Sequence, residues 1–377
     1  MIRIDLDLNG FREFIQSKKI ICYGAGSVGV RAIEIMENWG KSNDIIAFID
    51  RDKSKCGKII SNGQFSYPVL AIDQAIELAD QNTIILITCV TSSTDILEVR
   101  AFLNSYAELD KLVCFSLVEI SQQQLMSSDY RNIIHEYDEI MIPKRLHYCW
   151  LGGKKTTFIQ EMIDSWKRIC PDYEIIEWNE TNYDFLQIEY MRQAYEENAW
   201  GFVTDCARID IIYRHGGIYL DTDVKILKRP DELLFQKNFF ISDCSFLVNT
   251  GSGFGAKAGC PILKEFMDYY KDIPFRLDSG SLNKTPCVMH QYQVLKEHGI
   301  NINDQLQVIS GINIYPMILG GTNAYTMQYR RSEKAFFAHY GMLSWVENES
   351  THNRKKLQDS FRYDGLENYN IDMFRGE

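Results

Sequence analysis

The sequence is short of positive charge: 40 Lys and Arg stand against 51 Asp and Glu, a formal net charge of −11. A chain of that sign has no broad attraction for a phosphate backbone or an anionic membrane surface, which argues against nucleic acid as a partner. It lacks any run of 18 consecutive apolar residues, so no segment reads as a transmembrane span. Its ten cysteines are scattered singly with no C-x2-C pair, the usage of reduced thiols rather than a disulfide framework. The first residues carry Asp5 and Asp7 where a secretory signal needs bases, and no apolar segment follows them. Internal repeats and low-complexity tracts are also missing. The expectation is a cytoplasmic protein, with a peripheral place at the inner face of the membrane left open.

What is present suits two folded domains: 377 residues, 45% hydrophobic and 24% charged, exceed one ordinary core and match a globular composition. The aromatics, 21 Tyr, 20 Phe and 6 Trp, serve either large cores or stacking on sugars and bases.

Residues 1–120 alternate between apolar strands (19–23, 45–50, 83–88 and 112–115) and helical stretches after Gly29 and over 72–78. Continuous apolar strands separated by helices predict a parallel sheet covered on both faces, a small Rossmann-like domain. Gly24, Gly26 and Gly29 form a G-x-G-x-x-G that follows a strand and opens a helix, and Asp50 ends the next strand 21 residues after Gly29. In that context the helix N-terminus suits phosphate oxygens and Asp50 a ribose, so a nucleotide or NAD(P) is the ligand to consider. Residues 121–140 turn polar and read as a helical linker. A second α/β pattern fills 141–377, with strands at 145–149, 173–178, 217–220 and 238–241. Its helices are expected at 158–169, 183–197, 203–214 and 262–271.

The most informative stretch runs from Asp205 to Asp223. Its first half is helical, Gly216-Gly217 stops the helix, and Ile218-Tyr219-Leu220 reads as a buried strand ending in Asp221-Thr222-Asp223. Residues two apart on a strand point the same way, so the two carboxylates are expected to converge. Two such charges repel unless a hard cation such as Mn²⁺ or Mg²⁺ sits between them, and that cation would also hold a diphosphate. A solvated Asp-x-Asp turn is the bland alternative. Asp205 and Arg208 share a helix face, as a surface ion pair or as groups for sugar hydroxyls and phosphates.

Three ordered motifs carry a resemblance. They are Ile142-Pro143-Lys144-Arg145-Leu146-His147 with Trp150 and Gly152, Asp172-Tyr173-Glu174 with Trp178-Asn179, and the Asp205–Asp223 block. Together they resemble glycosyltransferase family 32, which includes capsular polysaccharide enzymes and yeast mannosyltransferases, and also the glucosyltransferase domain of large clostridial toxins. The resemblance spans about residues 140–350 and implies a GT-A fold, a metal-dependent enzyme and retention of anomeric configuration. Implied roles are base stacking for Trp150, donor-sugar contacts for Asp205 and Arg208, a ribose and metal-shell contact for Asp221, and direct metal ligation for Asp223. His339, Ser344 and Trp345 resemble the family's late H…S-W element, with His339 in the metal shell and the other two over the diphosphate. Asn249, in a glycine-rich loop, is a candidate for contact with sugar or acceptor. The partners so implied are a nucleotide-sugar donor, UDP-linked by preference, and a glycan or lipid-linked glycan acceptor in surface polysaccharide synthesis. The N-terminal domain resembles the small modules attached to sugar-processing enzymes. Redox members need a Tyr-x3-Lys pair, and Tyr292/Lys296 falls in the wrong domain, so a non-redox ligand role is preferred. An NAD(P)-dependent nucleotide-sugar oxidoreductase or epimerase, and a protein-modifying glycosyltransferase, are the alternatives.

Overall fold

The computed structural model describes residues 2–3, 5–88, 101–117, 133–243, 245–303, 305–320 and 335–340, with isolated positions 99, 120 and 123. Ser344 and Trp345 lie outside the described residues. The chain divides into two compact units, Met1–Asp129 with Asn301–Asn303, and Tyr130–Ile300 with Asp304–Glu377. Both are mixed α/β, and among the described residues no helix is long and apolar enough to cross a membrane.

The first unit is built on β1 (Ile2–Arg3), β2 (Lys19–Tyr23), β3 (Ile45–Ile49), β4 (Ile59–Ser61), β5 (Ser66–Leu70), β6 (Thr83–Ile87) and β7 (Val113–Ser116). They form one sheet in the order β1-β7-β6-β2-β3-β5-β4, parallel throughout except for the β4–β5 edge pair. Every residue of β6 is buried, the pattern of a strand covered on both faces. Helices α1 (Leu8–Phe14), α2 (Ser27–Asn38) and α3 (Ile72–Leu78) accompany it. Strand order reverses beside β2, which pairs with β3 on one side and β6 on the other; ligands of open α/β sheets gather at the carboxyl ends of such strands.

The second unit carries a seven-stranded mixed sheet in the order β14-β15-β12-β13-β10-β8-β9. Its strands are β8 (Arg145–Cys149), β9 (Glu174–Trp178), β10 (Gly217–Tyr219), β12 (Asn238–Ile241), β13 (Phe254–Ala256), β14 (Gln307–Ile309) and β15 (Ile312–Tyr315). A separate antiparallel pair joins β11 (Val224–Ile226) to β16 (Phe337–His339). The helices are α4 (Thr157–Ile169), α5 (Glu189–Glu196), α6 (Trp200–His215), α7 (Pro261–Asp272) and α8 (Cys287–Glu297). Thr156 caps α4 through its hydroxyl, and Phe158, Met162, Ile163 and Trp166 form its buried stripe. Helix α6 is buried along most of its length, Arg208 and Asp210 included, so it is an interior helix rather than an amphipathic one.

Three expectations shift. The helix expected from residue 183 begins only at Glu189. Asn179 accepts from the Thr181 amide and hydroxyl, and Asp184 from the Leu186 amide, and such local turns compete with helix. Residues 133–140, the end of the supposed helical linker, contain no helix. The strand expected over 217–220 stops at Tyr219, which changes how the aspartates are presented.

Candidate functional site

Helix α6 ends on Gly216, whose φ of +62° lies in the left-handed region that favours glycine. Gly217 follows at φ +117°, and a Cβ there would stand 2.7 Å from His147 Nε2. The buried His147 ring holds this turn. Trp178 Nε1 donates to its Nδ1 at 3.0 Å, and its Nε2 lies 2.8 Å from the Gly216 carbonyl. An indole N–H only donates, so Nδ1 is the acceptor and Nε2 carries the proton. Burial then pushes the imidazole pKa down to about 4, with the charges of His215 and Arg145 adding to the shift against the Gly216 bond.

Beyond β10 the chain does not continue as a strand. Asp221 and Asp223 sit in a turn closed by the Val224 amide on the Asp221 carbonyl at 3.0 Å. The two carboxylates therefore do not converge by strand parity; the turn folds them toward each other instead. The β11–β16 ladder then sets Val224 opposite His339, and one ligand atom each from Asp221, Asp223 and His339 falls within 4.8 Å of the others. His339 Nε2 is 3.3 Å from Asp223 Oδ1. Burial pulls the His339 pKa down, but the Asp223 and Asp221 carboxylates outweigh it and leave it above the ordinary value.

On the other side of Asp221 lies Arg208, 3% exposed, with Nη2 2.9 Å from Asp205 Oδ1 and 3.1 Å from Asp221 Oδ1. Its Nε donates to the Thr204 carbonyl and its guanidinium lies over the Tyr219 ring at 5.2 Å. Of the two readings the sequence offers, the surface ion pair fails: the pair is a buried bridge between α6 and the aspartate turn. Burial raises Asp205 to about 6 despite Arg208, and the nearby Asp221 charge adds to the rise. Burial likewise raises Asp221; Arg208 opposes the shift and Asp223 adds to it. Three carboxylates against one guanidinium leave two negative charges uncompensated when His339 is neutral, the balance a divalent cation restores. Oxygen donors with one imidazole also suit Mn²⁺ or Mg²⁺ chemically, so the residues present fit such an ion.

Further groups complete the site, and Gly251, Ser252, Gln291 and Cys287 among them carry no local sequence signal. Gly251 packs so tightly that an added Cβ would lie 2.3 Å from Asp221 Oδ2 and 2.8 Å from Arg208 Nη1. Its carbonyl accepts from the Asp221 amide at 3.2 Å. Asn249 organises this strap: its Oδ1 accepts from the Gly251 amide and its Nδ2 donates to Asp243. Ser252 Oγ is 2.9 Å from His339 Nδ1. From α8, Gln291 Nε2 donates to Thr250 Oγ1 at 2.6 Å, and the Cys287 thiol bonds the Asp205 carboxylate. Trp150 stands at the end of β8, its indole N–H on the Gly153 carbonyl at 2.6 Å and Lys155 near its ring, half-buried with an aromatic face fixed in place.

The glycine motif of the first unit forms its own cluster. Gly24 has φ +111°, Gly26 caps α2, and a Cβ on Gly29 would meet the Gly24 carbonyl at 2.2 Å, so helix and loop approach as only glycine allows. The Asp50 carboxylate accepts from the Ala25 amide, the Lys55 ammonium and the Asp52 amide. Oδ2 ties the strand end to the glycine loop and to Lys55, while Oδ1 closes a local turn on the Asp52 amide.

With this geometry in view, residues 157–240 match the family described as the glycosyltransferase sugar-binding region containing a DXD motif. The match takes in α6, the aspartate turn and Arg208. Among characterised proteins the chain is similar to inositol phosphoceramide mannosyltransferase 3 of Schizosaccharomyces pombe, 32% identical over 113 residues, covering 28% of this chain and 31% of that protein. It is also similar to the Subversion of eukaryotic traffic protein A of Legionella pneumophila, 23% identical over 142 residues, covering 30% of this chain and 22% of that protein. The matched parts thus span a third or less of those relatives' lengths. Solved structures give looser likenesses. The PaToxG glycosyltransferase has 18% identity and a TM-score of 0.35 over 48% of this chain and 76% of its own. A glycosyltransferase involved in glycosylation of the major capsid of PBCV-1 has 12% identity and a TM-score of 0.33 over 57% and 98%.

Proposed function

We propose that the second unit is a GT-A glycosyltransferase of the family 32 type, taking a sugar from a nucleotide diphosphate donor and retaining its anomeric configuration. The observation that carries this reading is the Asp221/Asp223/His339 cluster joined through Arg208 to Asp205, whose three aspartates and arginine fall within the stretch matching the DXD sugar-binding family. Mn²⁺ or Mg²⁺ held by Asp221, Asp223 and His339 would neutralise charge gathering on the departing diphosphate. The chain's own groups do the rest. Arg208 stays charged because its two carboxylate partners hold the proton on it, and it presents a fixed cation beside the cluster. Asp205 accepts from sugar hydroxyls, and Trp150 offers its face to the base, which favours UDP. Ser344 and Trp345 belong to the same proposal as diphosphate contacts.

A glycan or lipid-linked glycan is the acceptor class, in capsular or other surface polysaccharide synthesis at the cytoplasmic side. The mannosyltransferase relative keeps a nucleotide-linked mannose in the donor panel. The first unit we read as a Rossmann-like module whose Gly24–Gly29 loop takes a nucleotide-like ligand in a non-redox role.

Purified protein incubated with Mn²⁺ and a panel of UDP- and GDP-sugars tests this. Slow metal-dependent release of nucleotide from one donor is expected, and its loss in Asp223→Ala. Wild-type protein that neither hydrolyses any donor nor binds nucleotide in a metal-dependent way would overturn the reading.

A further inference from the structure

His339 meets two groups on opposite sides of its ring, Asp223 Oδ1 at 3.3 Å from Nε2 and Ser252 Oγ at 2.9 Å from Nδ1. Ser252 is fully buried and belongs to a strap with little freedom. Its amide donates to the Asn249 carbonyl, Gly251 is wedged against Asp221 and Arg208, and Gly253 has φ +128° with the Phe337 ring 3.0 Å from where a Cβ would stand. The serine hydroxyl is therefore presented to the imidazole by backbone, not by a mobile side chain.

An imidazole ligates through one nitrogen only when the other carries the proton, and the partner of that second nitrogen decides which tautomer forms and how the ring is turned. We infer that Ser252 is the positioning residue for His339: its Oγ accepts the Nδ1–H and so turns the Nε2 lone pair toward the Asp221–Asp223 cluster. Without it Nδ1 loses that partner and the ring is held from the Asp223 side alone. The inference rests on the cation-dependent reading of the site and adds to it a residue outside the D-x-D and the late His element. It also gives the Gly251-Ser252-Gly253 part of the glycine-rich loop a role beside Asp221.

Free Mn²⁺ measured by electron paramagnetic resonance during titration gives the affinity of the full chain without any donor. Ser252→Ala is expected to weaken Mn²⁺ binding by about 10- to 100-fold, the usual size of an outer-shell loss. The effect must vanish when Ser252→Ala is made in a His339→Ala background, because the serine acts only through that ring. An equal affinity in Ser252→Ala, or a loss that persists without His339, would overturn the inference while leaving the cation site standing. If the wild type binds no Mn²⁺, the site reading falls and the inference with it. A measurement needing no variant runs alongside. Nitrogen-15 shifts of His339 in the Mg²⁺-loaded wild type should show protonated Nδ1, and a proton on Nε2 instead would refute the role of Ser252.

Discussion

His147 illustrates how one side chain converts its surroundings into a pH response. Folding holds the imidazole near a pKa of about 4, whereas an unfolded chain leaves it near 6.5. The unfolded state therefore binds the extra proton first as pH falls. The stabilisation is complete above about 6.5 and is lost through the interval down to 4, on the order of 3 kcal/mol for this fully buried group. His290, also buried to about 4, adds to the same slope. Denaturant melts across that interval should show the loss, and the His147 ring should show no NMR titration above pH 5. At the other end of β10, Gly251→Ala places a methyl 2.3 Å from Asp221 Oδ2. Asp221 and Arg208 must move, and we expect donor turnover to fall by about 10²-fold while circular dichroism stays native. Gly251 itself was illegible in the sequence. Asp221 and Asp223 announce themselves by their motif, as do Asp205 and Arg208, but Ser252 and Gln291 have no local spacing to reveal them. Ser252 finds His339 87 positions away, and Gln291 finds Thr250 41 positions away.

At the scale of elements, the strands and helices with strong periodicity are where the sequence puts them. Strands β8 and β12 keep their expected bounds, and helices α4 and α7 begin one residue earlier than expected. The misjudged parts are those where a short polar contact outweighs periodicity, as in the Asx turns that delay α5 and the turn that replaces the end of β10. The pairing of β11 with β16 was out of reach, since two three-residue strands carry no pattern and their register depends on packing. Trp166 of α4 supports that pairing: fully buried, it donates to the Val224 carbonyl at 2.8 Å. Trp166→Phe should cost about 1–3 kcal/mol by leaving that carbonyl unpaired, measurable as a lower denaturation midpoint. In the first unit, Gly29→Ala forces α2 away from the Gly24 carbonyl and should cost about 1–3 kcal/mol by overpacking.

At the scale of the whole molecule, every group proposed to hold the cation belongs to the second unit. Mn²⁺ at a hundred times its dissociation constant should stabilise that unit by about 2.7 kcal/mol, or roughly 5–10 °C in melting temperature. Chelation should reverse the shift and Asp223→Ala should abolish it; a calorimetric scan with and without EDTA reads both. The strap from Asn249 to Gly253 gives this unit a further property. Because the same five residues approach Arg208 at Gly251 and His339 at Ser252, the roles proposed for those two groups predict that sugar preference and metal preference change together. A library at Thr250 and Gly251 selected for a new donor sugar would drift in which ion it needs. Two such lineages would be expected to diverge in metal requirement before they diverge in fold.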